Sequence, residues 1–331
     1  MRVAVAHNVP AAGEPDSEDV LRQAVFVEDV LSGMGHRTTR VALEPGINGV
    51  ADFIRQLRQS GADIIFNLIE SPGGISRLHP AAAALMDIAG LRYTGSSYEA
   101  LLNTTDKAVT KALLKSNGIP TPPWGTYPHS GAGQLWKEVA GGEACIAKPL
   151  LEDASIGITD ESVFFSDAGL EKGLDMMYEM HGPLLVERYI DGREFNVSVI
   201  ESSEGSPMTM PVAEMRFDRW PEGKPRIVNY SAKWDEKSFE YNNTKRTFIK
   251  GTPLERELSE TARNTWEAFG LSGYARVDMR AGDDGRVYVL EVNANPCISP
   301  DAGFMAAITE GGLSSADMME MILNASLSSI S

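Results

Sequence analysis

Residues 274–303 read YARVDMRAGDDGRVYVLEVNANPCISPDAG, and this stretch limits the folds open to the chain more than any other. Two strand-like runs, 275–279 and 287–292, flank Ala281-Gly282-Asp283-Asp284-Gly285, whose Gly and Asp residues suit a tight connection between antiparallel strands. Side chains alternate across a strand, so Arg276 and Asp278 share one face of the hairpin, and Glu291, Asn293 and Asn295 lie opposite Leu290, Val292 and Ala294. Asp278, Glu291 and Asn293 can therefore converge. Hard oxygen donors of this kind suit Mg²⁺, with Mn²⁺ as a substitute, the shell being completed by water and phosphate. A solvated acidic face is the plain alternative. Against it, Glu and Asn alternate inside an otherwise apolar strand that runs into Pro296, which is costly unless those groups have partners.

The 331 residues fit two or three domains, and 43% hydrophobic with 23% charged residues is the balance of a soluble globular protein. A formal net charge of −16 argues against binding nucleic acid or an anionic membrane, both of which need basic surface. Two cysteines, Cys145 and Cys297, make no disulfide framework or metal spacing, and Cys145 sits in a core-like apolar run. The opening MRVAVAHNV reads as a strand rather than a signal peptide, and no apolar run reaches the roughly 18 residues of a membrane span. The expected location is the cytoplasm. No internal repeat stands out.

In chain order, 2–6, 36–43 and 63–68 read as strands, separated by helices over 19–34, capped near Asp16 or Ser17, and 47–60. This β-α-β-α-β order predicts a parallel sheet that binds ligands at the carboxyl ends of its strands, in loops 7–18 and 67–77. A helix follows over 78–89, and another runs from Tyr98 through NTTDKAVTKALLKSNG with Leu101, Ala108, Leu113 and Leu114 as its apolar face. Further strands are expected over 183–190, 195–201 and 208–215, and an amphipathic helix over 254–269 leads into the hairpin. Helices over 304–308 and 316–327, the latter capped by Ser314 or Ser315, finish the chain.

The hairpin resembles the metal-binding hairpin of the ATP-grasp superfamily, in its D-alanine-D-alanine ligase branch, where R-x-D and E-x-N precede a proline. The resemblance is clear over 91–307 and looser before that. It implies an α/β fold with α+β lobes: an N-terminal parallel α/β pre-ATP-grasp domain (1–103), a central ATP-grasp lobe (104–190) and a C-terminal lobe with the metal and substrate site (191–331). It further implies an ATP- and Mg²⁺-dependent ligase that joins a small carboxylate, such as an amino acid, to an amine through an acyl phosphate, and a homodimer as in relatives.

Residue by residue, the resemblance implies that Lys107, in a T-D-K turn, and Lys148, opening the K-P…S-x-G loop with Ser155 and Gly157, meet phosphate. Glu187, Arg188 and Ile190 fall on the strand that reads adenine, and Glu194 on the ribose acid. Asp278, Glu291 and Asn293 hold metal. Arg276 steadies the oxyanion, and Lys233, in the Y-S-A-K-W segment, reaches the γ-phosphate or substrate. Glu14 or Glu18 takes the part of the family's N-terminal substrate glutamate, with Glu70, Trp234, Asn295, Ala302 and Gly303 lining the substrate pocket.

Four positions depart from the family's pattern. Ala154 stands where a serine is usual, Trp234 where a tyrosine would join that serine, and Ala302-Gly303 where Ser-Leu binds the second carboxylate. An indole offers apolar wall and one N–H donor only. The expectation is a ligase with substrates other than D-alanine. A D-alanine-D-alanine ligase of cell-wall synthesis and a nucleotide-binding protein without ligase activity are the alternatives.

Overall fold

The computed structural model describes residues 1–10 and 15–328, with side chains described over 1–10 and 18–327. Glu14 and the side chains of Asp16 and Ser17 lie outside them.

The strands β1 (Arg2–Asn8), β2 (Arg37–Leu43) and β3 (Ile64–Asn67) form a parallel sheet in the order β2-β1-β3. Helices Pro15–Gly33 and Ile47–Ser60 make the crossovers, and Gly61, left-handed at φ 58°, ends the second. Both faces of the sheet are covered. Ala4, Ala6 and Ile65 pack on Phe53 and Leu57, whereas Val3, Val5, Ile64 and Phe66 join a core that also takes Phe304, Ile308, Met318 and Ile322 from the last two helices, Gly303–Glu310 and Ser315–Ser328.

The second sheet, order β4-β7-β5-β6, consists of β4 (Trp124–Tyr127), β5 (Cys145–Pro149), β6 (Val163–Phe164) and β7 (Leu184–Arg188). Helix Leu170–His181 covers it, and Cys145 is in its core. The third sheet follows the path β11-β10-β8-β12-β13, with β9 on β8. Its strands are β8 (Gly192–Glu201), β9 (Pro207–Thr209), β10 (Val212–Phe217), β11 (Thr244–Ile249), β12 (Tyr274–Gly282) and β13 (Val287–Ala294). Helix Pro253–Phe269 closes one face through Leu258, Ala262 and Trp266.

Three local expectations need correction. The helix from Tyr98 is two, Tyr98–Thr105 and Lys107–Ser116, because Asp106 turns to an extended conformation and its carboxylate accepts from the N–H groups of Ala108 and Val109, a side-chain cap that ends one helix and starts the next. The buried face of the second helix is Lys107, Thr110, Lys111 and Leu114, with Ala108 and Leu113 only half-buried. The strand expected over 208–215 breaks before Pro211, whose missing N–H cannot serve a ladder, and β11 has no counterpart in the sequence reading because Lys245 and Arg246 mask its alternation.

Candidate active site

The hairpin β12–β13 pairs Asp278 with Glu291 and Arg276 with Asn293, and β8 brings Asn196 to the other side of Asp278. A bulge leaves Leu290 as the extra residue of β13, between the pairs Asp278–Glu291 and Met279–Val289, so that it too lines the cleft. Asp278 is saturated. It accepts from Arg276 through Nε at 2.7 Å and Nη2 at 2.8 Å, from Asn196 Nδ2 at 2.7 Å and from Asn293 Nδ2 at 3.1 Å, which takes up the roughly four lone-pair sites of a carboxylate. The Asn293 amide nitrogen is thereby committed, leaving its Oδ1 free of Asp278. Burial would raise the Glu291 carboxyl, but Lys107, Lys233, Lys148 and Arg276 pull it down to about 2, so it is ionised.

A cleft of about 620 Å³ opens in front of this face. Its lining includes Arg276, Asp278, Glu291, Asn293, Lys148, Ser155, Lys233 and Glu194, the strand residues Glu187, Arg188 and Ile190, and Glu70, Trp234, Asn295, Ala302 and Gly303. Ile146, Tyr189 and Ile227, which cluster together, form an apolar slot within it.

Three expected residues do not line it. Lys107 is buried in the wall, with Nζ donating to the Glu152 carbonyl and lying 3.3 Å from Asp153 and 3.5 Å from Glu291. Gly157, at φ 72°, packs where a Cβ would stand 2.7 Å from Pro149, so its part is to let the loop turn. Glu18 is exposed on the first helix. Its neighbour Asp19 lines the cleft instead, accepting from Ser299 Oγ at 2.8 Å and Cys297 Sγ at 3.0 Å.

Glu187 is fully buried between two lysines, Lys148 at 2.5 Å and Lys111 at 2.6 Å. Burial pushes Lys111 down to about 8, against the pull of Glu187. The Glu194 carboxylate pairs with Arg280 at 2.7 Å, and the same guanidinium donates to the carbonyl of Ile190. Lys233 is held below its usual range by burial and by Arg276.

The loop between β5 and β6 is folded down on the cleft. Ala154 and Ser155 adopt left-handed φ values of 55° and 63°. Ser155 Oγ donates to the carbonyl of Val228 at 2.8 Å, Ser76 Oγ donates to Glu152 at 2.6 Å, and Trp234 Nε1 donates to the carbonyl of Ala154 at 3.3 Å. The indole thus reaches the backbone of the residue whose side-chain hydroxyl is absent.

Asp19, Lys111, Asn196, Arg280 and His79 escaped the sequence reading. Asp19 and Gln23 are spaced i, i+4 beside the buried Val20, Ala24 and Val27, a usable signal; Lys111 continues the Lys107 face, where lysine at a core position was itself the cue. Asn196, Arg280 and His79 carry no local signal.

A family model described as "D-ala D-ala ligase C-terminus" matches residues 113–324. The D-alanine--D-alanine ligase of Thermotoga maritima is 29% identical over 313 residues, covering 93% of this chain and 92% of that protein, and that of Carboxydothermus hydrogenoformans is 29% identical over 302 residues, covering 87% and 91%. Among solved structures, the D-alanine--D-alanine ligase from Bacillus anthracis complexed with ATP superposes with a TM-score of 0.75 at 18% identity, over 99% of this chain and 97% of that one.

Proposed function

The chain belongs to the D-alanine-D-alanine ligase family of ATP-grasp proteins and is an ATP-dependent ligase forming carbon–nitrogen bonds; from that premise we propose that it joins amino acids other than D-alanine. What carries the proposal is the altered loop closure. Where the family's serine and tyrosine would bond through side chains, a single indole N–H meets the Ala154 carbonyl, and Ala302 and Gly303 bring no hydroxyl to the cleft.

The donor set fits Mg²⁺. Glu291 is ionised and Asn293 Oδ1 is free of Asp278, so these two would hold the ion, and Asp278 would join them on releasing one of its four N–H donors. When bound, the ion neutralises phosphate charge. The chain's own residues do the rest. Lys148, held by Glu187, presents its ammonium to phosphate, and Lys107, set by Asp153 and Glu291, stiffens the wall beneath. Backbone of Glu187–Ile190 and the Ile146–Tyr189–Ile227 slot take the purine, and Glu194, oriented by Arg280, takes the ribose hydroxyls.

A substrate carboxylate then attacks the γ-phosphorus, forming an acyl phosphate and ADP. The amine adds to the acyl carbon and phosphate leaves, with Arg276 and the N–H groups following Asn295 stabilising the oxyanion. Asp19 and Glu70, acids that line the cleft, receive a substrate ammonium in this reading.

A D-alanine-D-alanine ligase proper is the second reading, favoured by the relatives' names. ADP release over a panel of amino-acid pairs tests the choice. D-alanine alone should turn over poorly beside the best pair; robust turnover of D-alanine alone overturns the proposal in favour of the second reading. Asp278→Asn and Glu291→Gln should each reduce turnover of the best pair by about 10²-fold or more, the usual scale for losing one preorganised electrostatic group.

A further inference from the structure

Arg246, on the outermost strand β11, is a cation that the chain leaves without a counterion at the substrate end of the cleft. It lines the cleft and is exposed there, and among the described residues its guanidinium makes no hydrogen bond and no ion pair. Asp301, the acid whose charge it feels, is bonded to Arg22 at 2.9 Å. The other cations of the cleft are placed differently. Arg276 is held by Asp278 and Arg280 by Glu194, while Arg188 leaves the purine-reading strand with Nη2 toward Gly141. Lys233 stands in the field of Glu291 and Asp278, and Lys245, next to Arg246 on β11, leaves the strand by its other face.

The guanidinium has a particular seat. A Cβ at Gly303 would stand 3.3 Å from its Nη2, 3.6 Å from Cζ and 3.7 Å from Nε, so the fork lies against residue 303 and a leucine there would push it away. Ala302-Gly303 is the pair that stands where the family's Ser-Leu binds the second carboxylate. One position has lost a hydroxyl, the next has lost its side chain, and an arginine from a separate strand occupies the space. Burial and the nearby Arg276 both hold the Arg246 guanidinium below its usual range. An anion arriving beside two such cations relieves their repulsion.

We infer that Arg246 binds the carboxylate of the amine substrate, so that the acceptor is an amino acid with a free carboxylate rather than a simple amine or an amide. The inference rests on the ligase reading above and narrows its second substrate. A guanidinium grips a carboxylate through two parallel N–H···O bonds, more strongly and more directionally than a hydroxyl does. In an α-amino acid the amine is one carbon away from that carboxylate, so an acceptor held by Arg246 keeps its amine on the side of Arg276, where the oxyanion forms.

Two measurements on the full chain, on Arg246→Gln and on Arg246→Lys test this. In the first, the best amino acid for the amine role competes with its own carboxamide, and the ratio of the two products, read by mass spectrometry, gives the ratio of kcat/KM. The wild type should prefer the free acid by about tenfold or more, because a site built to bond a substrate group rejects the analogue lacking it. In Arg246→Gln the preference should shrink to about threefold or less, through a higher KM for the amino acid, with the KM for ATP unchanged. Arg246→Lys, which keeps the charge and loses the fork, should fall between. A wild type that uses the amide as well as the acid, a glutamine variant that keeps the preference, or a variant whose KM for ATP rises instead would overturn the inference, the last by giving Arg246 to phosphate.

The second measurement needs no turnover. With ADP and Mg²⁺ present, the shift in melting temperature produced by each free amino acid is compared with that of its carboxamide. The excess for the free acid should be larger in the wild type than in Arg246→Gln. If no pair releases ADP, the ligase reading fails and this comparison decides the inference alone: an excess confined to the wild type supports it, and an equal or absent excess in the two proteins overturns it.

Discussion

At the scale of single residues, this site is an exercise in keeping charges where water would otherwise be needed. Glu187 has no exposure and survives as a carboxylate because burial, which would raise its pKa, is outweighed by Lys111 and Lys148. Asp278 is ringed by four N–H donors, and Arg276, buried beside it, is held above its usual range by that contact. His79 is the contrary case, a titratable group kept neutral by burial with no compensating charge. Its pKa falls from 6.5 to about 4 on folding, so the unfolded chain binds the extra proton between those values. Stability must therefore drop as pH falls through that window. The full difference is on the order of 3 kcal/mol. Urea denaturation of the wild type and His79→Leu at pH 7, 5.5 and 4 should show the variant gaining on the wild type at each step down, and parallel curves would refute the assignment of that loss to His79.

Secondary-structure elements set the geometry by where they stop. The Asp106 cap, bonded to Ala108 N at 2.8 Å and Val109 N at 3.2 Å, starts the helix that carries both Lys107 and Lys111 into the wall. Had the helix run on from Tyr98 unbroken, those lysines would face elsewhere. Asp106→Ala should cost about 1 kcal/mol of stability, read by urea denaturation. It should also raise the KM for ATP more than it lowers kcat, because Lys111 holds Glu187 and Glu187 holds Lys148. An unaltered KM for ATP would mean that the cap serves the helix alone. The bulge at Leu290 is the strand's counterpart to this cap. It carries one more side chain to the cleft without disturbing the Asp278–Glu291 pair.

Across the whole molecule, the cleft is walled by strands of the second and third sheets together with Asp19 of the first helix and the segment after β3 that carries Glu70 and Ser76, and none of these holds a complete site. The parallel sheet shares its core with the last two helices, Val5 and Ile64 clustering with Phe304 and Met318, so the two ends of the chain stabilise one another. Among the described residues no helix is long and apolar enough to cross a membrane. A ligand gripped from several sides binds the folded state alone and stabilises it by mass action, about 2.7 kcal/mol at one hundred times its Kd. ATP should raise the melting temperature of the wild type, and Mg²⁺ should add to that rise. Glu291→Gln should keep much of the ATP effect and lose the Mg²⁺ increment; an increment that survives in Glu291→Gln would count against Glu291 as a ligand.

The strands of the first sheet with their parallel order, β8 and the hairpin with its facing carboxylates were legible in the string of residues, because alternation, turn chemistry and a short ligand motif are local signals. Those residues that a motif marked, such as Lys148, Glu187 and Arg276, could be named on the same grounds. The helical spacing of Asp19 with Gln23 hinted that it, rather than Glu18, turns inward, but what it meets there depends on how the first helix seats against Ile298 and Ser299, some 280 residues later. The same holds for Asn196 on Asp278, for Trp234 reaching the Ala154 carbonyl, and for the unsatisfied nitrogen of His79. Each is a meeting between distant segments, or the lack of one, and comes into being only when the sheets close around the cleft.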